Sequence, residues 1–157
     1  MKIFLDTEFT DFIDTELISI GLVSNDGREF YAEISNYSKE KCSEFVNAVV
    51  VPLLGKYPRI VGTCFEVAVK LEQWLKEYKD SGCILCYDYQ TDWDLFYDLL
   101  QYLPEESNFS FVSNLNIWTD LDPQRIKQYW KDTGLPEHMA LFDARANRIG
   151  YDIYNAY

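Results

Sequence analysis

Three strand-like segments follow one another at the start of the chain: KIFLDT (2–7), ELISIGLVS (16–24) and REFYAEI (28–34). The Asn25-Asp26-Gly27 tripeptide between the last two is a hairpin turn, so the three strands are predicted to lie side by side and antiparallel. After residue 34 the hydrophobic period changes. Residues 39–55 are predicted helical up to Pro52. Residues 64–79 form a second helix, with a capping box from Thr63 and Glu66 and a stripe of Phe65, Ala68, Leu71, Leu75 and Tyr78. A fourth strand, CILCYDY (83–89), leads into a helix capped by Thr91, whose apolar positions are Leu95, Phe96, Leu99 and Leu100. A weaker strand near 110–118, a helix begun by Asp122 with Pro123 at its first position, and a last helix over 139–155 complete the chain. Strands first, then strands alternating with helices, imply an α/β fold: a mixed central sheet with helices on both faces.

At 157 residues this is one ordinary domain, 1–157, with 48% apolar and 25% charged residues, the balance of a globular rather than a disordered protein. No apolar run approaches the ~20 residues of a membrane helix, and the N-terminus lacks the layout of a secretory signal. A cytoplasmic location is the expectation. Of the four cysteines, Cys83 and Cys86 form a C-x-x-C on a predicted strand, where positions three apart point to opposite faces. Cys42 and Cys64 form no second ligand pair, so buried thiols account for them better than zinc or redox chemistry.

The first strand runs straight into two carboxylates. Asp6 and Glu8, two residues apart, project on one side of the strand, close enough to repel. Either one stays protonated or a cation sits between them. The net charge of −12 repels polyanions at long range, so any nucleic-acid role must be local and aided by metal. Two other positions stand out. Asp92 lies in the first turn of the helix after the fourth strand, where the helix dipole alone would favour an acid. His138, the only histidine, precedes the last helix, with Asp143 five residues on and placed on its second turn. Histidine is the usual group for proton transfer near neutral pH.

The order of these elements resembles the DEDDh group of 3′-to-5′ exonucleases, which share an RNase H-like fold. The three motifs are FLDTEFT, YDYQTDWDLF and HMALFDAR, and the stretch through ELISIGLVSNDGREFYAE is similar to small bacterial exoribonucleases related to RNase T and oligoribonuclease. The resemblance implies that Asp6, Glu8, Asp92 and Asp143 hold two divalent cations, Mg²⁺ or Mn²⁺, with Asp6 the bridge and His138 the general base. Asp92 fits the second motif because Leu95 and Phe96 follow it by three and four residues. Asp88 and Asp94 remain open for that place, and Asp88 could also stand behind the ligands. Substrate contacts would come from Thr7, from stacking on Phe9, Phe12 and Tyr87 or Tyr89, and from Arg145; Arg148, Arg125, Lys127 and Lys131 are further phosphate candidates.

The implied activity is hydrolysis of phosphodiester bonds at single-stranded 3′ ends, RNA favoured, with release of 5′-nucleoside monophosphates. A DNA-directed exonuclease and a non-catalytic binding module on the same fold are the alternatives. Members of the group often act as homodimers, although no segment here marks an interface.

Overall fold

A computed structural model describes residues 1–151 of the chain. Six strands form one sheet: β1 (Lys2–Phe9), β2 (Leu17–Ser24), β3 (Glu29–Ile34), β4 (Ile60–Gly62), β5 (Cys83–Tyr87) and β6 (Val112–Asn116), in the order β4-β3-β2-β1-β5-β6. The first three pair antiparallel, while β4 joins β3, β5 joins β1 and β6 joins β5 in parallel. This is an α/β protein with a mixed sheet flanked by helices. Among the described residues the α-helices are α1 (Cys64–Leu75), α2 (Gln90–Leu100), α3 (Pro123–Thr133) and α4 (Ala140–Gly150).

Alternation along the strands sorts the core into two layers. Ile3 and Leu5 of β1, Ile20 and Leu22 of β2, and Phe30 and Ala32 of β3 pack against Val67, Leu71 and Leu75 of α1 and Leu95, Phe96 and Leu99 of α2. On the opposite face Val23 and Tyr31 meet Leu141, Phe142 and Ala144 of α4. Cys83 and Cys86 fall into different clusters, the first beneath α1 and α2 and the second beside Phe4, Ile117 and Tyr151. Both thiols are free, and burial pushes them up, to about 11 and about 12.

One glycine decides how closely α4 approaches. A Cβ on Gly21 would lie 2.4 Å from Ala140 C and O and from Leu141 N, so the first turn of α4 rests directly on the backbone of β2. Gly21 is the β2 partner of Asp6. The helix carrying Asp143 is thereby brought down beside the strand carrying Asp6 and Glu8.

Several elements differ from their sequence expectation. Residues 39–55 are not one α-helix: 3-10 turns at Lys39–Lys41 and Val51–Leu53 bracket a π-helical turn at Val46–Val50. Three successive valines followed by Pro52, which lacks an N–H, give regular α geometry little support there. The capping box of Thr63 and Glu66 forms, but Phe65 is exposed and Val67 takes its place in the core. Tyr89 rather than Thr91 occupies the N-cap of α2, which begins at Gln90. Asp122 caps α3 as expected, accepting from Gln124 and Arg125 N–H. The strand β4, only three residues long, is too short to show a hydrophobic period in the sequence. The last helix ends at Gly150, with Tyr151 at its C-cap, and residues 152–155 of the expected span lie outside the described part. Among the described residues, no helix is long and apolar enough to cross a membrane.

Candidate active site

The site forms where β1 and β5 part. Their pairing covers only Lys2–Phe4 against Ile84–Cys86, so the C-terminal half of β1 has no strand on that side. The crevice beyond the carboxyl ends of parallel strands is where α/β sheets commonly bind ligands. Asp92, in the first turn of α2, fills the gap: its Oδ1 accepts the Thr7 backbone N–H at 3.1 Å and the Thr7 hydroxyl at 2.6 Å. Asp92 is thereby turned toward β1.

From the other side α4 supplies Asp143, whose Oδ2 accepts the Met139 N–H at 2.9 Å. The acid sits in the first turn of α4, one turn earlier than expected, because the helix starts at Ala140. One turn further on, Asn147 Nδ2 donates to Asp88 Oδ1 at 2.9 Å.

The outcome is two triads that share Asp6. Ligand-capable oxygens of Asp6, Glu8 and Asp143 lie within 4.8 Å of one another, as do those of Asp6, Asp88 and Asp92. Both sets consist of hard oxygen donors alone, the chemistry that suits Mg²⁺ or Mn²⁺. Among the described residues, no ion pair to Lys or Arg engages any of the five.

The electrostatics follow. Burial, and then the charges of Asp92, Asp143, Glu8 and Asp88, hold Asp6 well above the ordinary carboxylate range. Burial followed by Asp143 and Asp92 pushes Glu8 up to about 8. Burial raises Asp92 and Asp143 to about 7 each, against the opposing hydrogen bonds from Thr7 and Met139, and raises Asp88 as well. A cluster in which every acid resists ionisation is one that a divalent cation would stabilise.

These acids line a cavity of about 1020 Å³ that also includes Thr7, Phe9, Phe12, Phe45, Tyr89, Trp118, Lys127, Trp130 and His138. His138 is exposed at its mouth, on left-handed backbone at φ 62°, with its ring edge-on to Phe45 at 5.0 Å. A non-glycine residue in that conformation is uncommon and must be held by its surroundings. Phe12 is 71% exposed, with Phe9 and Tyr89 edge-on to it at 5.1 and 5.8 Å.

No family model matches the chain. Two curated proteins are similar to it over most of its length, one from each of two Mycobacterium tuberculosis strains, CDC 1551 and H37Rv. Both are named 3′-5′ exoribonuclease. Each is 29% identical over an alignment 160 positions long, gaps included, that covers 92% of this chain and 88% of the relative.

The sequence-derived residues divide clearly in space. Asp6, Glu8, Asp92, Asp143 and His138 come to one cavity, as do Thr7, Phe9, Phe12 and Tyr89. Tyr87 does not: it is buried in the core and stacks on Trp93. Arg145 is likewise directed elsewhere, its guanidinium gripping Glu29 through Nε at 2.7 Å and a terminal nitrogen at 2.8 Å. Arg148 donates to the Asn25 carbonyl. Of the α3 cations only Lys127 lines the cavity. Asp94 is exposed and accepts from Gln90. Phe45 and Trp118, 53% and 67% exposed on the cavity wall, escaped sequence reading because an isolated aromatic carries no periodic signal.

Proposed function

We propose that this chain is a metal-dependent 3′-5′ exonuclease of the DEDDh type. It would hydrolyse phosphodiester bonds at single-stranded RNA 3′ ends and release 5′-nucleoside monophosphates. The observation that carries this reading is the pair of carboxylate triads hinged on Asp6. The names of the two mycobacterial relatives support RNA as the substrate. The strand order and the mixed pairing support an RNase H-like exonuclease fold, formed by the chain as one domain.

Asp6, Glu8, Asp92 and Asp143 would hold two divalent cations, with Asp6 common to both. When bound, such ions favour ionisation of an attacking water and neutralise the charge developing on the leaving 3′ oxygen. Thr7 and the Met139 N–H orient Asp92 and Asp143, so that each carboxylate meets the cavity in one pose. His138, at the cavity mouth, accepts the proton of the attacking water. Phe12, Tyr89, Phe45 and Trp118 offer rings on which terminal bases stack, which suits a protein of net charge −12.

A time course on 5′-labelled single-stranded RNA, beside DNA of the same sequence, tests this with Mn²⁺, Mg²⁺ or EDTA and an Asp6→Ala control. A ladder shortening from the 3′ end is expected, faster on RNA and abolished by EDTA and by the substitution. Intact strands in every metal, with the protein folded, would overturn it and favour a binding module.

A further inference from the structure

We propose that Asp88 is a fifth carboxylate ligand of the centre, oriented by Asn147 toward the cation held between Asp6 and Asp92. This rests on the metal-dependent reading above.

Asp88 and Asp92 compete for one motif position in the sequence, yet the structure brings both to Asp6, with one oxygen of each inside the same 4.8 Å set. Without Asp88, the second position has only two protein carboxylates, Asp6 and Asp92, whereas the first has three. Asp88 makes the two equal.

The orienting contacts follow one pattern. Asp92 is fixed through Oδ1 by Thr7, Asp143 through Oδ2 by the Met139 N–H, and Asp88 through Oδ1 by Asn147. In each case a neutral donor holds one oxygen and leaves the negative charge uncompensated. Donors of this kind are what ligating carboxylates need behind them. Asn147 is 6% exposed and lies one turn beyond Asp143 on α4, so a single helix presents a ligand to one position and the orienting amide to the other. A carboxylate kept beside four others for a purely structural reason would be better served by Lys or Arg than by an amide that leaves its charge in place.

Mn²⁺ titration of the full chain without RNA, followed by calorimetry, separates the possibilities. The proteins compared are wild type, Asp88→Asn, Asn147→Ala and Asp94→Asn. Wild type is expected to bind two ions. Asp88→Asn should weaken the second event at least ~10-fold and leave the first unchanged, and Asn147→Ala should weaken it by ~10–100-fold, the usual effect of losing an orienting partner. Asp94→Asn, on the exposed face of α2, should match wild type. The melting temperature of Asp88→Asn in EDTA should equal or exceed that of wild type, because one charge leaves the cluster. Two events at wild-type affinity in Asp88→Asn would overturn the proposal and leave the two-cation centre standing. Both events weakening together would also overturn it, since Asp88 would then act through the fold. No Mn²⁺ bound by wild type would remove the metal-dependent reading itself.

Discussion

Thr7 spends both its backbone N–H and its hydroxyl on a single oxygen of Asp92, a residue 85 positions away. The contact joins β1 to α2 where no strand pairing holds them, and it sets the pose of Asp92. Thr7→Val keeps the shape and the backbone bond but removes the hydroxyl. On the function proposed above, in which Asp92 holds a cation, exonuclease rate at limiting Mn²⁺ should fall ~10–100-fold because its orienting partner is lost. Part of the loss should return at saturating Mn²⁺, and circular dichroism should show an unchanged fold.

The acids of the centre make the metal-free protein sensitive to pH. Glu8 is raised from 4.5 to about 8, and Asp92 and Asp143 from 3.8 to about 7. A folded state with raised pKa values binds more protons than the unfolded chain, so stability falls as pH rises between the two values. The contribution is fully present below about pH 4 and is lost as pH rises through about 7 for Asp92 and Asp143 and about 8 for Glu8. In EDTA the melting temperature should therefore decline from pH 5 to pH 8. Adding Mn²⁺ at pH 8 should raise it again, because an ion bound only by the folded state stabilises it. A melting temperature in EDTA that is flat over this window would contradict the clustering of the acids.

Gly21→Ala would place a methyl group 2.4 Å from the backbone of Ala140 and Leu141, atoms that cannot swing aside. The first turn of α4 must lift from β2 and carry Asp143 with it. A loss of ~1–3 kcal/mol in urea unfolding is expected from such overpacking. Activity should fall further than stability alone explains when measured well below the unfolding midpoint.

Phe12 is exposed and Arg145 is already paired, so their substitutions should separate. Phe12→Ala should weaken binding of a short RNA 3′ end by ~1–3 kcal/mol, the worth of one stacked base, with little change in melting temperature. Arg145→Met breaks the grip on Glu29 at the outer edge of β3 and α4. Its KM for RNA should stay within about twofold of wild type, since exposed ion pairs contribute only ~0–1 kcal/mol and this one faces away from the cavity.

The sequence by itself determined most of the strands and helices, but not β4 or the π-helical turn at Val46–Val50, and it singled out Asp6, Glu8, Asp92 and Asp143 as candidate acids. Alternating apolar residues and Asn-Asp-Gly specify the antiparallel set of β1, β2 and β3, and the capping box specifies the start of α1, because these signals act between residues close in the chain. Asp6 and Glu8 could be paired for the same reason: a strand puts positions two apart on one face. Only the tertiary structure decided what surrounds them. Motif spacing favours Asp92 over Asp88, but that both face Asp6 follows only from the tertiary structure, in which β5 diverges from β1 and α2 turns back over the gap. Tyr87 and Arg145 looked as eligible as Phe12 and Lys127 for contact with a substrate. They are withdrawn by partners, Trp93 beneath the sheet and Glu29 across from α4, and those contacts depend on how helices settle against strands. Gly21 carries no chemistry of its own, yet its missing side chain lets α4 lie on β2 and completes the acidic centre. Local spacing encodes which residues share a face; packing between distant segments decides which faces meet.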